Sequence, residues 1–388
     1  MRVRIATYSA MPRGGAVHSR RLAEELAARG HAVEVWALTM EGSGLAVGPG
    51  VAVHQVPLAP VAGESPGDRV ARAAATLAHA MRGAASVDIH HAQDLLSARA
   101  LLALRADGDI AHVVRTVHHV EAFADRFLEE CQRASIQDVD RCIAVSGFWA
   151  DRLADEFGVN APVVPNGVDA ERFGGCPFDR AEAGRRMGWG GRCAVLAVGG
   201  VQPRKGSRVL LEAFARARGR LPDGALLVVA GGDGVFADPA SVTAWEEDAV
   251  RLGLVVHTGS DVPTDADVVR IGVVDDDDMP VLYRAADVLA FPSTREGFGL
   301  AIVEAMASGL PVVTSDIPVF AEFLRDGDDC LMTPVGDSGP LAQALVRVVN
   351  DVQLRARLTG AARDVAARYT WAATAERAEG VYRHLLAD

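Results

Sequence analysis

The sequence predicts an α/β protein with two domains. Short runs rich in Val, Ile and Ala alternate with segments of helical period through nearly the whole chain, which is the pattern of a parallel sheet covered by helices on both faces. The chain has 388 residues, more than one hydrophobic core usually organises, so two domains are expected.

The first part of the chain contains the elements of one α/β domain, residues 1–170. Its predicted strands span residues 3–8, 32–38, 51–56, 87–91, 111–118, 141–145 and 162–164. Its predicted helices span residues 19–29, 68–82, 94–105 and 148–157. Gly30 stands where the first helix should stop, which is a usual position for glycine.

A second α/β series, residues 193–368, follows a stretch of weak periodicity. Residues 171–192 are rich in glycine and are interpreted as a linker. The strands predicted after it span residues 193–199, 225–230, 254–258, 269–273, 287–291, 311–314 and 329–332. Residues 369–388 form a last helical segment, long enough to pack back across the first domain.

The composition argues against several classes of protein. With 39 basic and 51 acidic residues the formal net charge is -12, which disfavours nucleic acid as a partner. The five cysteines are scattered, so neither a disulfide framework nor a zinc site is expected. No signal peptide or membrane span is recognised, and a cytoplasmic protein is expected. Membrane association is not indicated by any basic amphipathic segment, and the sequence leaves it open.

A candidate phosphate site follows the predicted strand at 287–291. Gly299 allows the backbone to approach a ligand closely. The amides of Phe298, Gly299 and Leu300 are expected to point outward at the N-terminus of a helix, where they would suit a diphosphate.

Two carboxylates are expected to flank this site. Glu304 lies eight residues beyond Glu296, about one and a half turns into the helix. The pair could accept hydroxyl hydrogens from a sugar and a ribose. By spacing alone, a surface glutamate followed by an ion-paired helix glutamate explains the pattern equally well.

Two adjacent cations follow the first strand of the second domain. Gly200 belongs to a glycine pair at the strand end, and Arg204 and Lys205 stand at the predicted start of a helix. Basic residues in a first turn oppose the helix dipole, and a nearby anion would relieve that conflict. A solvated helix start is the alternative. The spacing fits neither a dinucleotide fingerprint nor a Walker A loop.

Segment 291–313, FPSTREGFGLAIVEAMASGLPVV, resembles the E-x7-E signature of glycosyltransferase family 4, whose members are retaining enzymes of the GT-B fold. Four further segments match this family in the same order along the chain: 145–146, 165–169, 199–206 and 283–287. The likeness extends from the first strand to the closing helix with Tyr369-Thr370-Trp371. It implies two Rossmann-like, doubly wound domains that face each other across a cleft, with the last helix returning to the first domain.

The resemblance implies roles in the second domain, which would bind the donor. Glu304 would hold the ribose hydroxyls of a nucleotide, and Glu296 would contact hydroxyls of the transferred sugar. Arg204 and Lys205 would bind the diphosphate and stabilise the charge that develops on the leaving group. Val274 matches a segment that lies against the nucleobase.

In the first domain, which would bind the acceptor, the resemblance singles out one histidine. His118 matches the histidine that approaches the donor sugar, whereas its neighbour His119 stands where the family often has Asp. His91 matches another strand-end histidine near the cleft, although a histidine in such a place is more often structural. Gly15 belongs to a loop that would touch the donor phosphate or the acceptor.

The run of four aspartates at 275–278 contains D-x-D, which binds a divalent metal in another large glycosyltransferase fold. Here Pro280 follows near a first helical position, so the run is interpreted as a helix cap and a complement to the helix dipole. No metal site and no tightly bound cofactor are expected.

The activity implied is metal-independent transfer of a hexose-type sugar, with retention, from a UDP- or GDP-linked donor to an acceptor hydroxyl. Two alternatives stay open: a GT-B nucleotide-sugar 2-epimerase, and a non-catalytic sugar-nucleotide sensor, against which the two glutamates and two cations argue. The acceptor is expected to be chosen by loops 11–17, 40–50 and 120–127. The insert at 233–267 departs from the family spacing and has no assigned role.

Overall fold

A computed structural model describes residues 1–11, 14–39, 44–232 and 239–387. The chain divides into two compact units. Unit 1 comprises Met1–Gly167 and Trp371–Asp388, and unit 2 comprises Val168–Thr370. Each unit contains its own parallel sheet with covering helices, so the predicted α/β class with two Rossmann-like sheets is confirmed.

The sheet of unit 1 has six parallel strands in the described part of the chain. They are β1 (Arg2–Thr7), β2 (Ala32–Thr39), β3 (Val51–Pro57), β4 (Ile89–Ala92), β5 (Val113–Val117) and β6 (Arg141–Ala144). Their spatial order is β3-β2-β1-β4-β5-β6. The winding reverses between β1 and β4, and open α/β sheets bind their ligands at the carboxyl ends of the strands beside such a point.

Helices cover both faces of this sheet. The helices of unit 1 are α1 (Gly14–Ala28), α2 (Pro66–Met81), α3 (Leu95–Ala106), α4 (Arg126–Gln137), α5 (Gly147–Phe157) and the last helix of the chain, α15 (Trp371–Ala387). Leu22 of α1 and Tyr382 of α15 are buried in one cluster with Ile5 of β1. Leu77 of α2 and Leu101 of α3 belong to a second cluster. The closing helix is therefore part of the core of unit 1.

The sheet of unit 2 has seven parallel strands among the described residues. They are β7 (Ala194–Val198), β8 (Leu226–Ala230), β9 (Val256–Thr258), β10 (Val268–Gly272), β11 (Val288–Phe291), β12 (Val312–Ser315) and β13 (Leu331–Thr333). Their order is β13-β12-β11-β7-β8-β10-β9. The winding reverses between β7 and β11, and the two motifs that the sequence singles out follow these two strands.

Nine helices accompany this sheet in the described ranges. They are α6 (Ala170–Gly174), α7 (Arg180–Arg186), α8 (Ser207–Ala217), α9 (Pro239–Arg251), α10 (Met279–Ala285), α11 (Leu300–Ala307), α12 (Pro318–Ala321), α13 (Ser338–Asn350) and α14 (Val352–Ala367). Helix α9 and strand β9 belong to the insert at 233–267, of which residues 233–238 lie outside the described residues. No helix among the residues described is both long and apolar enough to cross a membrane.

Two local predictions in unit 1 are wrong. Residues 162–164 form only a single bridge, from Val163 to Ala144, because the prolines on both sides of it, Pro162 and Pro165, have no amide hydrogen to donate. Helix α4 is absent from the predicted elements. The sequence feature that could have predicted this helix is Asp125, whose carboxylate accepts the amide hydrogens at the start of the helix.

The segment predicted as a linker, 171–192, is folded into unit 2. It contains most of α6 and all of α7, which Asp169 and Asp179 cap through their side chains. The segment also contributes buried aromatic side chains, Phe173 and Trp189. The structure therefore differs from the linker prediction, because side chains at wide spacing bury this segment without a regular period.

The glycines of this segment serve tight packing rather than flexibility. A Cβ atom on Gly184 would lie 2.0 Å from the carbonyl oxygen of Gly190. Close approach of the two backbones brings the indole of Trp189 to the end of α10, where its Nε1 donates to the carbonyl oxygen of Ala285 at 3.3 Å.

Replacement of Trp189 by alanine should lower the free energy of unfolding of unit 2 by about 3–5 kcal/mol, because it removes a buried aromatic ring. Urea unfolding followed by circular dichroism measures the change. Arg185→Ala is the matched control, since its side chain is exposed in the same segment and should change stability by less than about 0.5 kcal/mol. Equal effects of the two substitutions would support a flexible linker instead.

Candidate active site

The loop after β7 is pressed against the loops that follow β8 and β11. Gly200 and Gly206 have φ angles of +71° and +67°. A Cβ atom would lie 2.5 Å from the carbonyl oxygen of Gly232 in the first case and 2.1 Å from that of Pro292 in the second. Both the backbone angles and these contacts require glycine, so the three loops can meet only with these residues.

The two predicted cations lie in a short 3-10 turn, Pro203–Lys205, that precedes α8. The sequence predicts them in the first turn of the helix itself. The structure differs because Gly206, in the left-handed region, separates the turn from α8. The amide of Thr294 donates to the carbonyl oxygen of Arg204 at 2.8 Å, which ties this turn to the loop after β11.

An ion pair forms the centre of the candidate site. Nζ of Lys205 lies 2.7 Å from Oε1 of Glu296, and Nη1 of Arg204 lies 3.4 Å from the same oxygen. Nζ also stands 4.5 Å above the ring of Phe291. Two cations thus share one carboxylate, which leaves the group with one net positive charge.

Burial and charge act on both partners of this ion pair. Burial lowers the pKa of Lys205, although the Glu296 carboxylate partly offsets it. Burial by itself raises the pKa of Glu296, but Lys205 and Arg204 outweigh it, so that this pKa lies below its ordinary value. The two cations therefore favour the charged form of Glu296, and this carboxylate has little tendency to act as a proton carrier.

The helix N-terminus predicted at Gly299 is present. Gly299 is the N-cap of α11, and Leu300 is its first residue. The side chain of Phe298 is buried and stacks on Phe323, with ring centroids 5.2 Å apart. The ring therefore packs in the interior of unit 2, and the contact of the Phe298 amide with a ligand stays a prediction.

Glu304 lies in the second turn of α11 and is half-buried. Its Oε2 accepts a hydrogen bond from the hydroxyl of Tyr283 at 2.7 Å. The sequence singles out Tyr283 only as part of a matching segment and gives it no role. The two residues are 21 positions apart in the sequence, and this spacing does not predict a contact between them.

Val274 is half-buried in the segment that follows β10. A methyl carbon of its neighbour Val273 lies 3.0 Å from the position of a Cβ atom on Gly232, and Gly232 itself touches Gly200. The structure thus brings the segment of Val274 beside the loop after β7, as a nucleobase site would require. The residues predicted for the donor site of the second domain lie on neighbouring strand ends of unit 2.

The aspartate run does not cap a helix as predicted. Residues Asp276–Asp278 form a 3-10 turn, and neither Asp275 nor Asp278 makes a side-chain capping bond. Asp276 instead pairs with Arg172 at 2.9 Å, so the charge of the run serves packing against α6. Within the described residues no group of three or more His, Cys, Asp or Glu side chains could hold a metal ion.

His118 follows β5 in unit 1 and is partly accessible. Its Nε2 lies 3.2 Å from Oε1 of Gln93, and its ring meets that of His18 edge-on, with centroids 4.8 Å apart. Nδ1 of His18 is bonded to Oδ1 of Asn166 at 2.8 Å. His18, Gln93 and Asn166 were not predicted as site residues. A polar residue on the buried face of α1, as His18 is, was the available signal.

The other two histidines differ in their surroundings. His91 is fully buried, and its ring nitrogens are bonded to the hydroxyls of Tyr382 at 2.7 Å and Thr116 at 2.8 Å. This environment supports the structural alternative for His91. His119 pairs with Glu121 at 2.9 Å at the surface.

Burial keeps the inner histidines neutral. It lowers the pKa of His18 to about 4 and that of His91 to about 3, and it lowers the pKa of His118 well below its ordinary value. The nearby Arg115 and the other histidines disfavour a positive charge on His118 further. A neutral His118 can accept a hydrogen bond as well as donate one.

Gly15 lies in the first turn of α1, and no described atom comes within 4 Å of the position of a Cβ atom on it. The space beside it is therefore open to a ligand. The rest of its loop, residues 12–13, and residues 40–43 of the predicted acceptor loops lie outside the described residues.

Comparisons with known proteins agree with this geometry. A family model described as Glycosyl transferases group 1 matches residues 192–351, and one described as Glycosyltransferase Family 4 matches residues 12–172. A D-inositol 3-phosphate glycosyltransferase from Stackebrandtia nassauensis is 32% identical to this chain in an alignment 393 positions long. The alignment covers 94% of this chain and 85% of the relative. This chain belongs to glycosyltransferase family 4.

This glycosyltransferase also resembles a phosphatidyl-myo-inositol mannosyltransferase from Mycobacterium leprae, at 34% identity over 245 residues, 62% of this chain and 58% of the relative. Among solved structures, sucrose-phosphate synthase from Thermosynechococcus elongatus matches with a TM-score of 0.80 at 21% identity over 100% of both chains. Anabaena HepE in complex with UDP and glucose matches with a TM-score of 0.74 at 21% identity, over 98% of this chain and 99% of that one. The predicted GT-B fold is confirmed.

The free energy of unfolding should decrease as the pH is lowered, because His18 is buried as a neutral ring. Below pH 6.5 the unfolded chain takes up a proton that the folded chain refuses until about pH 4. Between these values the free energy of unfolding should fall by up to about 1.4 kcal/mol per pH unit for this histidine. His18→Gln should show a shallower fall in urea titrations at pH 4.5 to 7. His384→Gln, on an exposed side chain, is the control; equal slopes for the two variants would contradict the prediction.

Proposed function

We propose that this glycosyltransferase transfers a hexose-type sugar, with retention of configuration, from a nucleoside diphosphate sugar to an acceptor hydroxyl. The single observation that carries the proposal is the Glu296 carboxylate held between Lys205 and Arg204 beside the N-terminus of α11. This arrangement offers positive charge and backbone amides to a diphosphate, and a carboxylate to the hydroxyls of the sugar attached to it.

The nucleotide would lie across the strand ends of unit 2. Glu304 would accept ribose hydroxyl hydrogens, and Val274 would lie against the base. The backbone of Gly200, in the loop after β7, would lie beside the diphosphate, and the amides of Gly299 and Leu300 would face it. UDP and GDP are the first nucleotides to test, since HepE is described in complex with UDP.

The proposed reaction needs no covalent enzyme intermediate. The bond between the sugar's C1 and the phosphate oxygen breaks, and the acceptor oxygen bonds to C1 on the same face. The acceptor proton passes to an oxygen of the departing diphosphate. Glu296 is committed to two cations, which argues against its use as a nucleophile. Lys205 and Arg204 would stabilise the charge on the leaving group, so that no metal ion would be needed for that purpose.

Lysine at position 205 is a specific choice in this chain. It is the only lysine among 39 basic residues, all others being arginine. A Cβ atom on Gly199 would lie 2.8 Å from Cε of Lys205, so the side chain passes directly over the backbone. A compact ammonium group occupies the space between this glycine, Phe291 and Glu296, and we expect the larger, planar guanidinium of arginine to disturb these contacts.

In unit 1, His118 would make a polar contact with the sugar. The acceptor would also bind to this unit. The ring is neutral and partly accessible, so it can accept a hydroxyl hydrogen without repelling a cationic transition state. The relatives supply the first acceptors to test, namely inositol phosphate and phosphatidylinositol. These acceptors are taken from the names of the relatives. The acceptor of this chain is to be identified by assay.

Loss of the Lys205 charge should mainly slow turnover. Lys205→Ala should reduce kcat by about 100- to 1,000-fold, because a charge aimed at the leaving group acts mostly in the transition state. Lys205→Arg should also be impaired, since a planar guanidinium cannot reproduce the contacts of the ammonium group with both Glu296 and Phe291. Release of UDP or GDP from UDP-glucose or GDP-mannose measures kcat. Arg208→Lys, which changes an exposed side chain paired with the buried Asp248, is the control and should keep normal turnover. Activity of Lys205→Ala equal to wild type would sink the assignment.

Loss of the Glu304 carboxylate should mainly weaken nucleotide binding. Glu304→Ala should raise the Kd of the diphosphate about 10- to 100-fold, the loss expected for hydrogen bonds to a charged group. Isothermal titration with UDP and GDP measures it. Glu322→Ala, an exposed glutamate of the same unit, should leave the Kd unchanged. An unchanged Kd in Glu304→Ala would contradict the proposed site.

Product analysis by NMR distinguishes the remaining possibilities. A new glycoside with the donor's anomeric configuration supports the proposal. An inverted glycoside, a 2-epimerised donor sugar formed without acceptor, or binding without any turnover would each replace it with another function of the same fold.

A further inference from the structure

A side-chain hydrogen bond joins the proposed ribose site to the interior of unit 2. The phenol of Tyr283 on α10 donates to Oε2 of Glu304 on α11 at 2.7 Å. Tyr283 is buried to 1% exposure, whereas Glu304 is half-buried and reaches the surface. The bond therefore runs from the core outward to the carboxylate.

The surroundings of Tyr283 hold its ring in one place. Phe173 of α6 packs edge-on against it, with centroids 5.7 Å apart. Ala285 lies two residues after Tyr283 in α10, and its carbonyl oxygen accepts the indole hydrogen of Trp189 at 3.3 Å. The support for Tyr283 thus comes from the segment 171–192, which has no catalytic motif of its own.

The chemistry of the phenol fixes its role as a donor. Burial, together with the charge of Glu304, raises the pKa of Tyr283 well above its ordinary value. The hydroxyl therefore keeps its hydrogen near neutral pH. A carboxylate can only accept, so the direction of this bond is not open to reversal.

A glutamate on a helix surface has three side-chain torsions and normally occupies several rotamers. A buried donor at 2.7 Å selects the rotamers in which Oε2 meets the phenol, and this sets the plane of the carboxylate. Hydrogen bonds to a ligand form at lower cost when the acceptor is already oriented.

We propose that Tyr283 is a positioning residue that orients the Glu304 carboxylate toward the ribose and so gives the site its preference for ribonucleotides over 2′-deoxyribonucleotides. The proposal rests on the proposed function, in which Glu304 accepts ribose hydroxyl hydrogens. Tyr283 does not touch the nucleotide. Its effect is transmitted through one carboxylate, and it should appear in donor binding rather than in the chemical step.

The test compares ribose and deoxyribose binding in the full-length protein. Isothermal titration gives the Kd of UDP, 2′-deoxy-UDP, GDP and 2′-deoxy-GDP for wild type and Tyr283→Phe. Wild type should bind UDP or GDP about tenfold more tightly than its 2′-deoxy counterpart. Tyr283→Phe should lose about five- to tenfold in affinity for the ribonucleotide and less than about twofold for the deoxy form, so that the preference nearly disappears.

The matched control is Tyr382→Phe, which removes the hydroxyl of another fully buried tyrosine, bonded to His91 in unit 1. It should keep the wild-type ribose preference. Tyr283→Phe should fold, because water can reach the half-buried Glu304 in place of the phenol, and a thermal melt checks this. At saturating donor its kcat should stay within about twofold of wild type while the KM for donor rises.

A second comparison uses Glu304→Gln. If Tyr283 acts through the carboxylate, adding Tyr283→Phe to Glu304→Gln should cause no further loss of ribose preference. A wild-type preference that survives in Tyr283→Phe, or additive losses in the double variant, would overturn the positioning role and leave the proposed function intact. A wild type with no ribose preference would overturn both this role and the assignment of Glu304 to the ribose.

Discussion

The ion pair between Lys205 and Glu296 is the interaction on which the arrangement of the proposed donor site in unit 2 depends. It joins the loop after β7 to the loop after β11, the two strands between which the winding of the sheet reverses. A backbone bond from Thr294 to Arg204 ties the same loops together. Two cations and one buried carboxylate leave an excess of positive charge near the N-terminus of α11, and the diphosphate of the proposed donor would balance it.

Residues in the interior of unit 2 that have no proposed catalytic role support the proposed site. The segment 171–192, glycine-rich and aperiodic in sequence, buries Phe173 and Trp189 against α10. Helix α10 in turn carries Tyr283 to Glu304. If Glu304 binds the ribose as proposed, the hydrogen bond from Tyr283 orients its carboxylate before the ligand arrives, and burial raises the pKa of the phenol so that it stays a donor.

Unit 1 uses histidine in two ways. His91 is enclosed by Tyr382 of the closing helix and Thr116 of β5, and it serves packing. His118, at the end of β5, keeps an accessible edge while Gln93 and His18 hold its ring. Burial disfavours the charged form in both. The same property makes His118 available as a hydrogen-bond acceptor and makes unit 1 sensitive to acid.

The sequence by itself determined the α/β class and, among the described residues, the bounds of all thirteen strands to within about two residues, because alternation and apolar runs are local properties. It also singled out Glu296, Glu304, Arg204 and Lys205, since glycine, charge and spacing after a strand carry their own chemical meaning. Only the tertiary structure decided that Lys205 meets Glu296, 91 residues away, and that Tyr283 meets Glu304. It also gave the supposed linker a packed role. These facts depend on which strands become neighbours in the sheet, and no local pattern encodes that order.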